Sequence, residues 1–83
     1  MWHVYIIQCR DGKLYTGITN DIDRRLKEHN ESIGSRFTRV RNPVKLVYCQ
    51  KVATRSFALK REAEIKKISR HEKLNLISSA VLI

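Results

Sequence analysis

The stretch VYIIQCRDGKLYTGIT, residues 4–19, constrains the fold more than any other part of the chain. Two runs rich in Val, Ile, Tyr and Thr, residues 3–9 and 13–18, flank Asp11-Gly12 and predict a β-hairpin. Its register has two common solutions. A two-residue Asp11-Gly12 turn pairs Arg10 with Lys13 and Tyr5 with Ile18, which sends Tyr15 to the face opposite Tyr5. A three-residue loop, Arg10-Asp11-Gly12, puts Gly12 in the left-handed region and pairs Cys9 with Lys13, Ile7 with Tyr15 and Tyr5 with Gly17.

The second register sorts the side chains better. It gathers Val4, Ile6, Gln8, Leu14, Thr16 and Ile18 on one face as a core, and His3, Tyr5, Ile7, Lys13, Tyr15 and Gly17 on the other. Both phenols then share a face as diagonal neighbours. With no side chain at Gly17, an open floor is expected across from Tyr5, where a ligand approaches the backbone.

A third β-rich run, VKLVYCQKV at 44–52, follows Pro43. Between the hairpin and this run, TNDIDRRLKEHNESI predicts a helix capped at Thr19 or Asn20, with Ile22, Leu26 and Ile33 at helical spacing. From Thr54, TRSFALKREAEIKKISR predicts a longer helix, and HEKLNLISS a short last one; the apolar end ISSAVLI finishes that helix and packs on the sheet. The order β-β-α-β-α-α gives an α+β fold, a small, mostly antiparallel three-stranded sheet flanked by helices. A chain of 83 residues is expected to form one domain, residues 1–83.

Charge narrows the partners. The formal net charge is +9, from 17 Lys and Arg against 8 Asp and Glu, which favours a polyphosphate backbone. No run approaches a membrane span, and no amphipathic helix sets bulky aromatics against a basic face, so no membrane partner is expected. The beginning MWHVYIIQCRDG lacks the pattern of a signal peptide, and the expected compartment is the cytoplasm. Cys9 and Cys49 are isolated thiols without zinc-ligand spacing.

Several residues stand out as chemistry. Arg25 follows Ile22 by three positions and precedes Leu26, so it borders the apolar stripe, and His29 lies four positions further along that side. Both are expected to overhang the tyrosine face. The alternatives are an Arg25–Asp21 ion pair and a histidine favoured simply by the helix end. On the long helix Glu62 sits beside Ala58 and Ile65, whereas Glu64 falls roughly 160° away and reads as a solvated ion-pair residue near Lys60 and Lys67. A lone carboxylate such as Glu62 suits a divalent cation that keeps its waters and shares phosphate oxygens, although Lys66 at i+4 offers an ordinary partner. The segment GSRFTRVRNP interleaves Arg36, Arg39 and Arg41 with Phe37 and Thr38, a composition suited to phosphate contact and base stacking or to a solvated basic loop.

Taken together, His3-Val4-Tyr5, Tyr15-Thr16-Gly17, the helix with DIDRRLKEH and the helix with ALKREAEIK resemble a GIY-YIG nuclease domain over about residues 2 to 77. GSRFTRVRNPVKLVY resembles in particular the small stand-alone bacterial members. Two departures are His3 in place of the name-giving glycine and Thr16 in place of isoleucine; neither removes a chemical group. The resemblance implies a phosphodiester hydrolase using a single divalent metal, Mg²⁺ or Mn²⁺. It implies Tyr5 as general base for the attacking water, Tyr15 as a group ordering water or phosphate, and Arg25 as the ligand of the scissile phosphate. It further implies His29 as an auxiliary polar group, Glu62 as the metal carboxylate, and a 5′-phosphate and a 3′-hydroxyl as products.

With Lys13, Gly17, Arg36, Phe37, Arg39 and Arg41 as nucleic-acid contacts, the expected substrate is nucleic acid, DNA ahead of RNA, cut by structure or with a protein partner's direction, in repair or recombination. The rival is a basic nucleic-acid-binding module that kept the fold without useful turnover. Oligomeric state is left open.

Overall fold

The computed structural model describes residues 1–31, 38 and 40–81. Strand β1 (Trp2–Gln8) pairs antiparallel with β2 (Leu14–Thr19) and, on its other side, with β3 (Lys45–Val52), in the order β2-β1-β3. The hairpin takes the three-residue loop. Tyr5 stands opposite Gly17 and Ile7 opposite Tyr15. The Cys9 N–H donates to the Lys13 carbonyl at 2.8 Å, the Gly12 N–H to the Cys9 carbonyl at 2.9 Å, and Gly12 has φ +86°. Asp11 braces the turn by accepting from the Lys13 N–H at 3.1 Å.

Period-two alternation then divides the side chains. Val4, Ile6 and Tyr48 are buried on one face against Ala58 and Ile65 of α2 (Arg55–Lys67), with Leu14, Ile18 and, from α3 (Arg70–Val81), Leu76 and Ile77 packed around them. Tyr5, Ile7, Cys9 and Val44 are buried on the other face, packed by Tyr15 and by Ile22 and Leu26 of α1 (Ile22–Asn30). Each fully buried Ile contributes about 1.5–3 kcal/mol, so the two half-cores hold the sheet from both sides.

A bulge interrupts β3: Ile6 pairs with Tyr48 but Ile7 with Leu46, leaving Val47 as the extra residue. The slip turns Leu46 to the tyrosine face while Tyr48 stays in the larger core.

The helix ends differ from expectation in two places. Asp21, rather than Thr19 or Asn20, caps α1, its Oδ1 accepting from the Arg24 N–H at 3.1 Å. The Thr19 hydroxyl instead accepts from the Asp21 N–H at 3.1 Å, one residue before the helix. The long helix stops at Lys67 instead of running through Ser69 and Arg70, because Ile68 is extended and Ser69 starts a capping box with Glu72. The Glu72 N–H donates to Ser69 Oγ at 3.2 Å, and the Ser69 N–H to Glu72 Oε1 at 3.4 Å. The last helix is consequently 12 residues long, not short. Ile33 and the final two residues of the apolar tail lie outside the described residues. No helix among the described residues is long and apolar enough to cross a membrane.

Candidate active site

The tyrosine face carries a buried polar chain. Tyr5 is 1% exposed, and its ring lies across Gly17 toward the outer strand β2: a Cβ at Gly17 would come within 2.5 Å of Tyr5 Oη and 3.2 Å of Tyr15 Cε1. The expected open floor over Gly17 is therefore filled by Tyr5 itself. The missing side chain makes room for a phenol of this protein.

The Tyr5 hydroxyl ends 3.0 Å from His29 Nε2, and His29 Nδ1 lies 2.6 Å from Thr38 Oγ1. His29 and Thr38 are both 0% exposed. Both tyrosines meet the imidazole edge-on, with ring centroids 6.0 Å away for Tyr5 and 5.4 Å for Tyr15. The spacing that set Arg25 and His29 on one side of α1 thus brings both over the two phenols.

Charge around this chain is uneven. Burial pushes the Tyr5 hydroxyl above its usual 10.0, opposed by the hydrogen bond and positive charge of Arg25; Tyr15 and Glu62 add to the rise. Burial, and then the Arg25 charge, lower His29 to about 4, with Glu28 pulling the other way. The imidazole is neutral at pH 7. The two shifts run apart, so the proton of the resting pair sits on Tyr5.

Arg25 is paired with Glu28 at 3.1 Å, not with Asp21 through its side chain, and remains 28% exposed. Glu28 also reaches Arg24 at 3.9 Å. Glu62 is a partly covered carboxylate, 20% exposed, with Lys66 at 3.4 Å. Its helix packs on the opposite face of the sheet, yet its charge registers at Tyr5, whose ring extends over the outer strand. Glu64 pairs with Arg61 at 3.4 Å and is largely solvated.

The other sequence candidates spread outward. Lys13 is exposed at the hairpin turn, and Arg41 bonds Asp11 at 3.1 Å beside it. Arg36, Phe37 and Arg39 lie outside the described residues. His3 stands across from Thr19, and its Nδ1 is buried without a hydrogen-bond partner among the described residues. Two roles escaped sequence reasoning. Glu28 was legible as the i+3 partner of Arg25, whereas nothing marks Thr38, nine positions from His29, as a buried hydroxyl.

Comparison with known families gives this arrangement its class. The model of the GIY-YIG catalytic domain matches residues 1–75, and the chain belongs to that family. Within it the similarity is to UPF0213 proteins. One from Staphylococcus saprophyticus is 51% identical over 92% of this chain and 93% of its own length. Another, from Clostridium perfringens, is 49% identical over 95% of this chain and 85% of its own length. Among solved structures, the UPF0213 protein of Bacillus halodurans superposes with a TM-score of 0.61 at 42% identity, covering 94% of this chain and 84% of that one. Membership supports an endonuclease-like function in general, with nucleic acid as the general partner.

Proposed function

We propose that the chain is a divalent-metal-dependent endonuclease that hydrolyses phosphodiester bonds in DNA of particular structure, in the cytoplasm, in repair or recombination. The observation that carries this reading is the buried Tyr5–His29 hydrogen bond beside Arg25, on a strand pair that leaves room for the phenol only because residue 17 is glycine.

In this reading a water oxygen attacks phosphorus, giving its proton to the Tyr5 oxygen while the Tyr5 proton passes to His29 Nε2. The bond from phosphorus to the 3′ oxygen breaks, and that oxygen takes a proton from solvent, leaving a 5′-phosphate and a 3′-hydroxyl. Arg25 exchanges Glu28 for the non-bridging phosphate oxygens, where its planar fork of donors meets developing charge. Tyr15, edge-on to His29, helps order the attacking water. Lys13 and Arg41, with Arg36, Phe37 and Arg39, hold the flanking strand through backbone contacts and stacking.

The residues present fit a single metal ion. Among the described residues no group of three His, Cys, Asp or Glu converges, and Glu62 is one partly exposed carboxylate. That donor set suits Mg²⁺ or Mn²⁺ retaining its waters. When bound, the ion would supply positive charge for the phosphate and ease the loss of the Tyr5 proton to His29.

A second reading, a nucleic-acid-binding module with little turnover, is favoured by one observation. Arg25 and Glu62 are each ion-paired within their own helices, and Tyr5 is almost fully covered.

Cleavage of end-labelled branched, flapped and duplex DNA with Mg²⁺ or Mn²⁺ separates the two. The nuclease requires metal-dependent cutting that disappears in Tyr5→Phe and in Glu62→Ala while binding persists. Binding without cutting in the unmodified protein supports the module.

A further inference from the structure

His29 holds a hydroxyl on each ring nitrogen and has no exposed surface through which to reach water. A neutral imidazole carries one N–H donor and one bare acceptor, so the two hydroxyls cannot play the same part. Two tautomers satisfy the distances, and the neighbours decide between them. A guanidinium only donates, so the Arg25 charge beside Tyr5 favours a phenol oxygen that turns its lone pairs toward it. Among the described residues the Tyr5 hydroxyl has His29 Nε2, 3.0 Å away, as its acceptor, and its own O–H is directed there. Nε2 is then the bare nitrogen, and the ring proton is on Nδ1, facing Thr38 Oγ1 at 2.6 Å.

We infer that Thr38 is a positioning residue of the site: by accepting the Nδ1 proton it fixes the tautomer of His29 and keeps Nε2 open toward Tyr5. This role rests on the reading of Tyr5 as the base, because an imidazole turned to donate from Nε2 has no vacancy for the phenol proton. Among the described residues, the groups facing the ring besides Thr38 are the two tyrosines from the hairpin and Arg25 and Glu28 from its own helix. None of these replaces Thr38 at Nδ1. If the hydroxyl is removed, the proton gains a partner by moving to Nε2 and donating to Tyr5 Oη, which turns the acceptor into a donor.

Long-range proton–nitrogen spectra of ¹⁵N-histidine-labelled protein read the tautomer without any substrate. The expected pattern is Nδ1–H in the unmodified chain and in Thr38→Ser, and Nε2–H in Thr38→Val, with backbone amide spectra reporting that each variant is folded. Thr38→Ala takes the place of the valine variant if that one does not fold. An Nε2–H pattern in the unmodified protein overturns the assignment, as does an unchanged Nδ1–H pattern after removal of the hydroxyl.

In the cleavage assay, Thr38→Val is expected to lower kcat about tenfold or more with KM little changed, and Thr38→Ser to restore it, since proton transfer by a positioned group contributes roughly 10²–10⁴-fold. The two readings fail separately. A chain that cuts no nucleic acid but switches tautomer in Thr38→Val loses the nuclease assignment and keeps the role of Thr38 toward His29.

Discussion

Replacing Gly17 with alanine adds one methyl group where Tyr5 already lies. Gly17 does not need a positive φ, so the substitution carries no backbone strain, and in open space Gly→Ala would stabilise by about 0.4–1 kcal/mol. Here the new Cβ would sit 2.5 Å from Tyr5 Oη and 2.7 Å from Cζ, closer than carbon approaches either atom. Tyr5 has no free direction to move, being 1% exposed and hydrogen-bonded to a histidine that is itself 0% exposed.

Overpacking of this kind costs about 1–3 kcal/mol, and leaving His29 Nε2 without its partner adds about 1–3 kcal/mol. A total of about 2–6 kcal/mol is a large share of the stability of an 83-residue chain, on the order of 4–12 kcal/mol at 0.05–0.15 kcal/mol per residue. Urea unfolding followed by the fluorescence of Trp2, with circular dichroism as a second probe, measures the loss directly. The midpoint of thermal unfolding should fall by roughly 8 °C or more, at 4–8 °C per kcal/mol for a domain of this size. If Gly17→Ala unfolds within about 0.5 kcal/mol of the parent, a spread typical of inconsequential surface changes, the tyrosine does not occupy the glycine's space and the account of the site is wrong.

Two more outcomes follow from the charges. His29 is held at about 4 in the fold against 6.5 in the unfolded chain, so the unfolded state takes up a proton first. The stability contributed by this difference is full above pH 6.5 and lost as pH falls toward 4, amounting to about 3 kcal/mol. Denaturation between pH 7 and 4.5 should reveal this slope, and His29→Gln should flatten it; an equal slope in that variant assigns it to other groups. Glu28→Gln removes the carboxylate that occupies Arg25 at 3.1 Å, and should tighten DNA binding at low salt about two- to fivefold, an exposed pair being worth up to about 1 kcal/mol. Unchanged affinity, measured by fluorescence anisotropy, would mean that Arg25 does not meet the phosphate.

What could be read along the chain was whatever obeys a short-range rule. The alternation of apolar residues about Asp11-Gly12 favours one hairpin register, because that register sorts the side chains better between a core face and a polar face, and it puts both tyrosines on one side. The spacing of Ile22, Arg25, Leu26 and His29 sets an arginine and a histidine over them for the same reason: helical geometry repeats within a few residues. The Ser69–Glu72 capping box obeys such a rule too, and its four-residue signature was there to be recognised.

Other features depend on contacts between distant segments. That Gly17 serves the protein's own phenol rather than a ligand depends on which way Tyr5 turns, and burial under α1 decides it. The bulge at Val47 depends on how β3 meets β1, with Tyr48 held in the larger core and Leu46 paired across from Ile7. Thr38 is the clearest case. A threonine in a basic segment has no periodicity to betray it, and only the folded chain brings it 2.6 Å from His29 and removes both from water. Local geometry chose the residues of the site, and long-range packing decided which hydrogen bonds they make.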